Sequence, residues 1–149
     1  MAKIATYDIF VGMTINKILR NVIVAGIFAI PFITLYVANS MFFPFITGKN
    51  FAFRIIVEII LALWLILMIR DSSYKPKKSH VLYSVLLFVV VMTVADMFGE
   101  NFLRSFWSNY ERMEGLVTHL HLFAYLLVAG TMLNTERIWT KYFDMILGA

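Results

Sequence analysis

Four apolar runs constrain this chain more than any other feature in it: about Asn21 to Val37, Phe53 to Ile69, Val81 to Phe98 and Leu116 to Leu133. Each is close to the roughly 20 residues that a helix needs to cross a hydrocarbon layer about 30 Å thick, and short polar segments separate them. Charged residues make up only 15% of the chain against 61% hydrophobic ones, whereas a soluble domain carries about a quarter charged. The mean hydropathy of +0.81 agrees. The expectation is an all-α membrane protein, one membrane domain over residues 1–149, with four transmembrane helices plus the start of a fifth or an interfacial C-terminal helix.

The distribution of basic residues sets a topology. Lys3, Lys17, Arg20, Arg70, Lys75, Lys77, Lys78, Arg137 and Lys141 fall on one side of the four runs, and Lys49, Arg54, Arg104 and Arg112 on the other. The positive-inside rule makes the nine-residue side, with the N-terminus and the "RDSSYKPKKSH" loop, cytoplasmic. The "DMFGENFLRSFWSNYERMEG" connection is then extracytoplasmic. A pI near 9.4 is accounted for by these topogenic loops, so no nucleic-acid partner is implied. The absence of cysteine excludes disulfides, thiolate nucleophiles and Cys-based metal sites.

Local signals refine the plan. Pro31 in "FAIPFITL" is expected to kink the first helix, because it removes one backbone donor and crowds the preceding turn. The aromatic residues around Pro44 and Gly48 read as an interfacial turn. "SNYE", Ser108 to Glu111, matches the capping-box pattern, which predicts that the fourth helix begins near Asn109 and runs about 37 Å to Leu133. The last segment, "NTERIWTKYFDMILGA", opens like another helix with Asn134 or Thr135 as N-cap. It is too short to span, and reads either as an interfacial helix or as the continuation point of a longer protein; the second reading is adopted.

On the fourth helix, Tyr110, Glu114, Thr118, His121 and Tyr125 share an arc of about 80°, a continuous polar stripe. His119 and His121 point about 160° apart, so they cannot chelate one metal from one helix. Such a stripe serves either as packing glue between helices or as the wall of a site. Arg112 is a cation near the positive end of the helix dipole and so calls for an anionic partner. On the second helix, Arg54 and Glu58 lie four apart and are expected to pair with each other. There is no phosphate-binding glycine loop, GxSxG, HExxH or dinucleotide fingerprint, and no cofactor or metal is expected.

Two segments, "MFFPFITGKNFAFRIIVEIILALWLIL" and "SFWSNYERMEGLVTHLHLFAYLLV", together resemble the N-terminal transmembrane region of the O-antigen ligase and O-antigen polymerase-like membrane proteins. The likeness covers most of the chain, roughly residues 21–133, and "ERMEG" is its most specific piece. It implies a glycosyltransferase that moves a glycan from an undecaprenyl-pyrophosphate carrier to an acceptor at the outer face of the bacterial cytoplasmic membrane. It further implies a carrier-phosphate contact by Arg112, since guanidinium binds phosphate through paired, charge-assisted hydrogen bonds. Glu111 and Glu114 flank it, and His121 and Arg54 complete the candidate substrate-binding set. The family's key histidine is expected beyond residue 149, so no catalytic residue is assigned. The expected partners are membrane lipid, the lipid-linked glycan and its acceptor. The alternative is a small four-helix membrane protein that acts as an assembly or binding subunit without chemistry.

Overall fold

The computed structural model describes residues 2–39, 43–109 and 114–148, with side chains from Gly12 onward. Helices account for nearly all of it: α1 (Ala2–Ala29), α2 (Thr47–Arg70), α3 (His80–Met97), α4 (Phe102–Trp107), α5 (Leu116–Met132) and α6 (Glu136–Gly148). Among the described residues, three helical stretches are long and apolar enough to cross a membrane, Gly12–Leu35, Thr47–Arg70 and His80–Met97. The apolar α5, at 17 residues, is about 25 Å long at 1.5 Å per residue, close to the same thickness. The chain is an all-α membrane protein.

The third and fourth runs begin and end within one residue of where the apolar pattern puts them, and the second ends at Arg70 but begins six residues earlier, at Thr47. The first differs: α1 extends well before Asn21, because Lys17 and Arg20 are good helix formers and do not interrupt the hydrogen-bond ladder. Where the kink is expected at Pro31, the helix changes form. The α-helix gives way at Ile30 to a tighter 3-10 turn, Ile30–Leu35, with the proline in its first positions, and Thr34 Oγ1 donates to the Pro31 carbonyl at 2.7 Å. The return towards α2 is closed by Ala38 N–H on Pro44 O at 3.2 Å.

α1 and α2 run antiparallel. They pack tightly at Gly26, where an added Cβ would overlap the Cγ2 of Ile60. In lipid the hydrophobic effect gives helices little reason to associate, so close packing through small residues of this kind holds them. At one end of the pair, Arg70 Nε donates to Asn16 Oδ1 at 2.9 Å. α5 packs against α1, α2 and α3, and the core forms where Ile23 and Ile27, Ile60, Trp64 and Leu67, and Val128, Ala129 and Met132 converge.

α3 is apolar around its whole circumference and buries only Val89. In water that surface would be an aggregation hazard; in a bilayer it faces a medium as apolar as itself. α6 begins directly after Thr135, whose carbonyl accepts from Ile138 and Trp139. Its side chains reach back to α1 and α5. Tyr142 is buried, its ring lies edge-on to Phe28 at 5.5 Å, and its hydroxyl is hydrogen-bonded to that of Tyr125.

The capping-box expectation is corrected. Ser108 does not start a helix but ends α4, in a left-handed conformation with φ 62°. α5 starts only at Leu116, with Gly115 as its N-cap and no side-chain cap. The physical reason is at Gly115, whose Cα lies so close to the end of α4 that an added Cβ would meet backbone atoms of Phe106 and Trp107. A continuous helix from Asn109 could not make that turn, so α5 is shorter than the expected 37 Å and Glu114 precedes it.

Candidate functional site

The polar residues of α2 and α5 meet at the end of the bundle where both helices begin. On α2, Asn50, Arg54 and Glu58 recur every four residues and so share one face. On α5, Thr118, His121 and Tyr125 do the same at spacings of three and four. The two helices run in the same direction, which brings the stripes into register.

Arg54 is buried at 7% exposure and its Nη2 donates to Thr118 Oγ1 at 2.8 Å. One turn further along, His121 Nε2 lies 3.0 Å from Glu58 Oε1, and His121 Nδ1 lies 2.7 Å from the Val117 carbonyl. A carbonyl oxygen only accepts, so Nδ1 carries a proton. The expected pairing of Arg54 with Glu58 is therefore corrected in part: the two attract each other along α2, and each also has a hydrogen bond that crosses to α5. The crossing occurs because the α5 stripe offers an acceptor hydroxyl and an imidazole at the matching spacing, and bonding between helices satisfies both sides. Phe53 and Tyr125 add an edge-on ring contact at 6.2 Å across the same pair of helices.

Next to this seam is an open groove of about 500 Å³ lined by Lys49, Asn50, Glu114, Thr118 and His119, with Phe45, Ile46 and Leu122 as its apolar walls. Glu114 is exposed at its edge. Thr118 belongs to both features, so the hydroxyl bonded to Arg54 forms part of the groove wall. His119 turns away from His121, as their spacing requires: its ring sits 6.2 Å from Phe88 of α3 and its Nδ1 is 3.2 Å from the Gly115 carbonyl.

Of the five candidate residues, the structure places Arg54 and His121 on the seam and Glu114 on the groove. Glu111 and Arg112 lie outside the described residues. Lys49, Asn50 and Thr118 are groove residues that were not among the candidates. The Asn50, Arg54, Glu58 spacing was the available signal for the α2 contribution. Among the described residues, no group of three His, Asp or Glu side chains is placed to hold a metal ion.

The groove combines an amine, an amide and an acidic edge with apolar walls, and the buried Arg54 guanidinium is bonded to Thr118 of its wall. That combination suits a ligand with an anionic or hydroxyl-rich head and an apolar body. No family model, curated protein or solved structure matches this chain.

Proposed function

We propose that this chain is the donor-binding membrane segment of an O-antigen ligase- or polymerase-like glycosyltransferase, and that the groove between α2 and α5 receives the head of an undecaprenyl-pyrophosphate-linked glycan. The observation that carries this reading is the buried Arg54 held on Thr118 in the wall of a groove that also presents Lys49. A guanidinium matches a phosphate through paired, charge-assisted hydrogen bonds, and Lys49 adds a second cation on the groove wall. The acidic edge at Glu114 and the amide of Asn50 suit sugar hydroxyls. Glu114 is also the fourth residue of "ERMEG", the segment on which the family resemblance chiefly rests.

In this reading the protein lies in the bacterial cytoplasmic membrane with its N-terminus inside, as the bias of Lys and Arg towards one side requires. The groove then opens at the outer face, where lipid-linked glycans are joined. Arg54 and Lys49 hold the pyrophosphate, Arg112 adds a second guanidinium from the loop, and the apolar walls accept the start of the polyprenyl chain. No step of bond making is assigned to residues of this chain.

The test is binding of an undecaprenyl-pyrophosphate oligosaccharide to the purified chain in nanodiscs. Replacing Arg54 by Met is expected to weaken binding about tenfold or more, the equivalent of one charge-assisted hydrogen bond. Arg54→Lys is expected to recover part of the loss. Binding unchanged by both Arg54→Met and Arg112→Ala overturns the reading and leaves the alternative, an assembly subunit without chemistry. That alternative draws on Glu58, whose side chain is 67% exposed on a membrane-spanning helix and would be shielded by a neighbouring protein surface.

A further inference from the structure

At the opposite end of the bundle, two cavities lie side by side between the segment that enters α3, the last turn of α5 and α6. The first, about 320 Å³, is apolar over most of its wall, with Leu82, Leu126, Leu127 and the Trp139 ring. The second, about 260 Å³, is polar, with Ser73, Lys75 and Asn134. Lys77, Gly130 and Thr131 line both, so the two adjoin and share a wall, and together they are called the slot. Among the described residues, no carboxylate lines either part.

Each shared residue keeps the slot open in its own way. Gly130 has nothing within 4 Å of where a Cβ would sit, so the wall of α5 is hollow there. Thr131 spends its hydroxyl on the Leu127 carbonyl at 2.7 Å, which leaves its methyl group as the surface it can offer. Lys77 stands at the junction, where a long side chain can keep its stem on the apolar part and its ammonium on the polar part.

The N-terminus of α3 adds a further positive element. Ser79, at its N-cap, makes no side-chain cap bond and lines the apolar cavity. The first amides of this 18-residue helix therefore have no partner from the Ser79 side chain, and the positive end of its dipole lies beside the cavity that Ser79 and Val81 line.

We infer that this slot is a binding site for one anionic phospholipid, with the phosphate between Lys75, Lys77 and the start of α3, and an acyl chain in the apolar cavity against Trp139. The adjacency of a polar, lysine-lined cavity and an apolar one decides the occupant. A soluble anion would use only the polar part, and a neutral lipid would leave two lysines facing a headgroup without net charge. This inference concerns the other end of the molecule from the glycan groove and does not depend on that reading.

The experiment is native mass spectrometry of the purified chain with added dioleoyl phosphatidylglycerol or phosphatidylcholine. The expected result is one retained phosphatidylglycerol, preferred about tenfold or more over phosphatidylcholine, since each lysine near an anionic headgroup contributes roughly fivefold. Lys75→Gln with Lys77→Gln is expected to remove the preference. Gly130→Leu is expected to remove the retained lipid itself; its side chain has free space to enter and improves local helix propensity, so the fold is retained. Phosphatidylglycerol brominated on its acyl chains is expected to quench Trp139 fluorescence, read as the difference from Trp139→Phe, and Gly130→Leu to relieve the quenching. Equal retention of the two lipids overturns the inference, as does a preference that survives the double lysine replacement. Displacement of the lipid by soluble glycerophosphate overturns it too, because the acyl cavity would then contribute nothing.

Discussion

His121 is held between two acceptors: its Nδ1 is 2.7 Å from the Val117 carbonyl and its Nε2 is 3.0 Å from Glu58 Oε1. Since Nδ1 must donate to the carbonyl, the second contact needs one further proton, either on Nε2 facing a carboxylate or on Glu58 facing a neutral ring. In both states the pair adds no net charge to the membrane, which is how a glutamate can stand on a spanning helix.

A double-mutant cycle on Glu58→Gln and His121→Leu, read by reversible unfolding in micelles, is expected to give a coupling of about 0.5–2 kcal/mol, the range for hydrogen bonds between membrane helices. Each single change is expected to destabilise more than the pair together, because it leaves one polar group without its partner. A coupling of zero would show that the contact does not hold α2 to α5.

The close approach of α1 and α2 gives a packing prediction. Gly26→Ala is expected to cost about 1–3 kcal/mol through overpacking, since the added methyl would meet Ile60 Cγ2, and a β-branched side chain has little rotamer freedom in a helix with which to yield. Ile60→Leu, which removes that branch, is expected to restore most of the loss in the double variant. Additive effects of the two changes in the same unfolding assay would contradict the contact.

How much of this was legible beforehand depended on whether the signal was local to one helix. Run length located α2, α3 and α5 because a bilayer imposes a length on any helix that crosses it. Helical geometry likewise put Thr118, His121 and Tyr125 on one stripe and turned His119 away. It could not say which helix the stripe would meet. Arg54 and Glu58 therefore read as an internal pair, when each also has a hydrogen bond across to α5, Arg54 to Thr118 and Glu58 to His121. "SNYE" failed for a related reason. The capping pattern is local, but the break before α5 is set by Gly115 lying against the end of α4, a contact between segments that no four-residue pattern contains.

Asp71, just beyond α2, supplies a pH dependence outside the membrane. Its Oδ1 accepts from the Ser73 N–H at 2.9 Å, and this bond holds its carboxyl below the ordinary aspartate value. The folded value being depressed, the contribution of the bond is fully present above the unfolded value of about 3.9, and is lost as pH falls through the folded one. The protection factor of the Ser73 amide in hydrogen exchange is expected to drop across that acidic window. In Asp71→Ala it is expected to be low at every pH. A wild-type protection factor that stays constant into strong acid would contradict the bond.

Gly115 gives the most direct check on how the end of the molecule bearing the groove is built. Its φ of −69° and ψ of 179° are open to any residue, so the need for glycine there is one of space. A Cβ would meet the Phe106 carbonyl oxygen and, at 2.7 Å, the carbonyl carbons of Phe106 and Trp107. These are backbone atoms, which cannot move aside as a side chain can. Gly115→Ala is therefore expected to cost about 3 kcal/mol, the upper end of the overpacking range, and to displace Glu114 from the groove edge. Gly130→Ala on the same helix has open space and is expected to be neutral, or stabilising by up to about 1 kcal/mol through helix propensity. Thermal unfolding of the two variants side by side in detergent measures the contrast, and equal tolerance at both positions would mean that α4 does not dock against the start of α5.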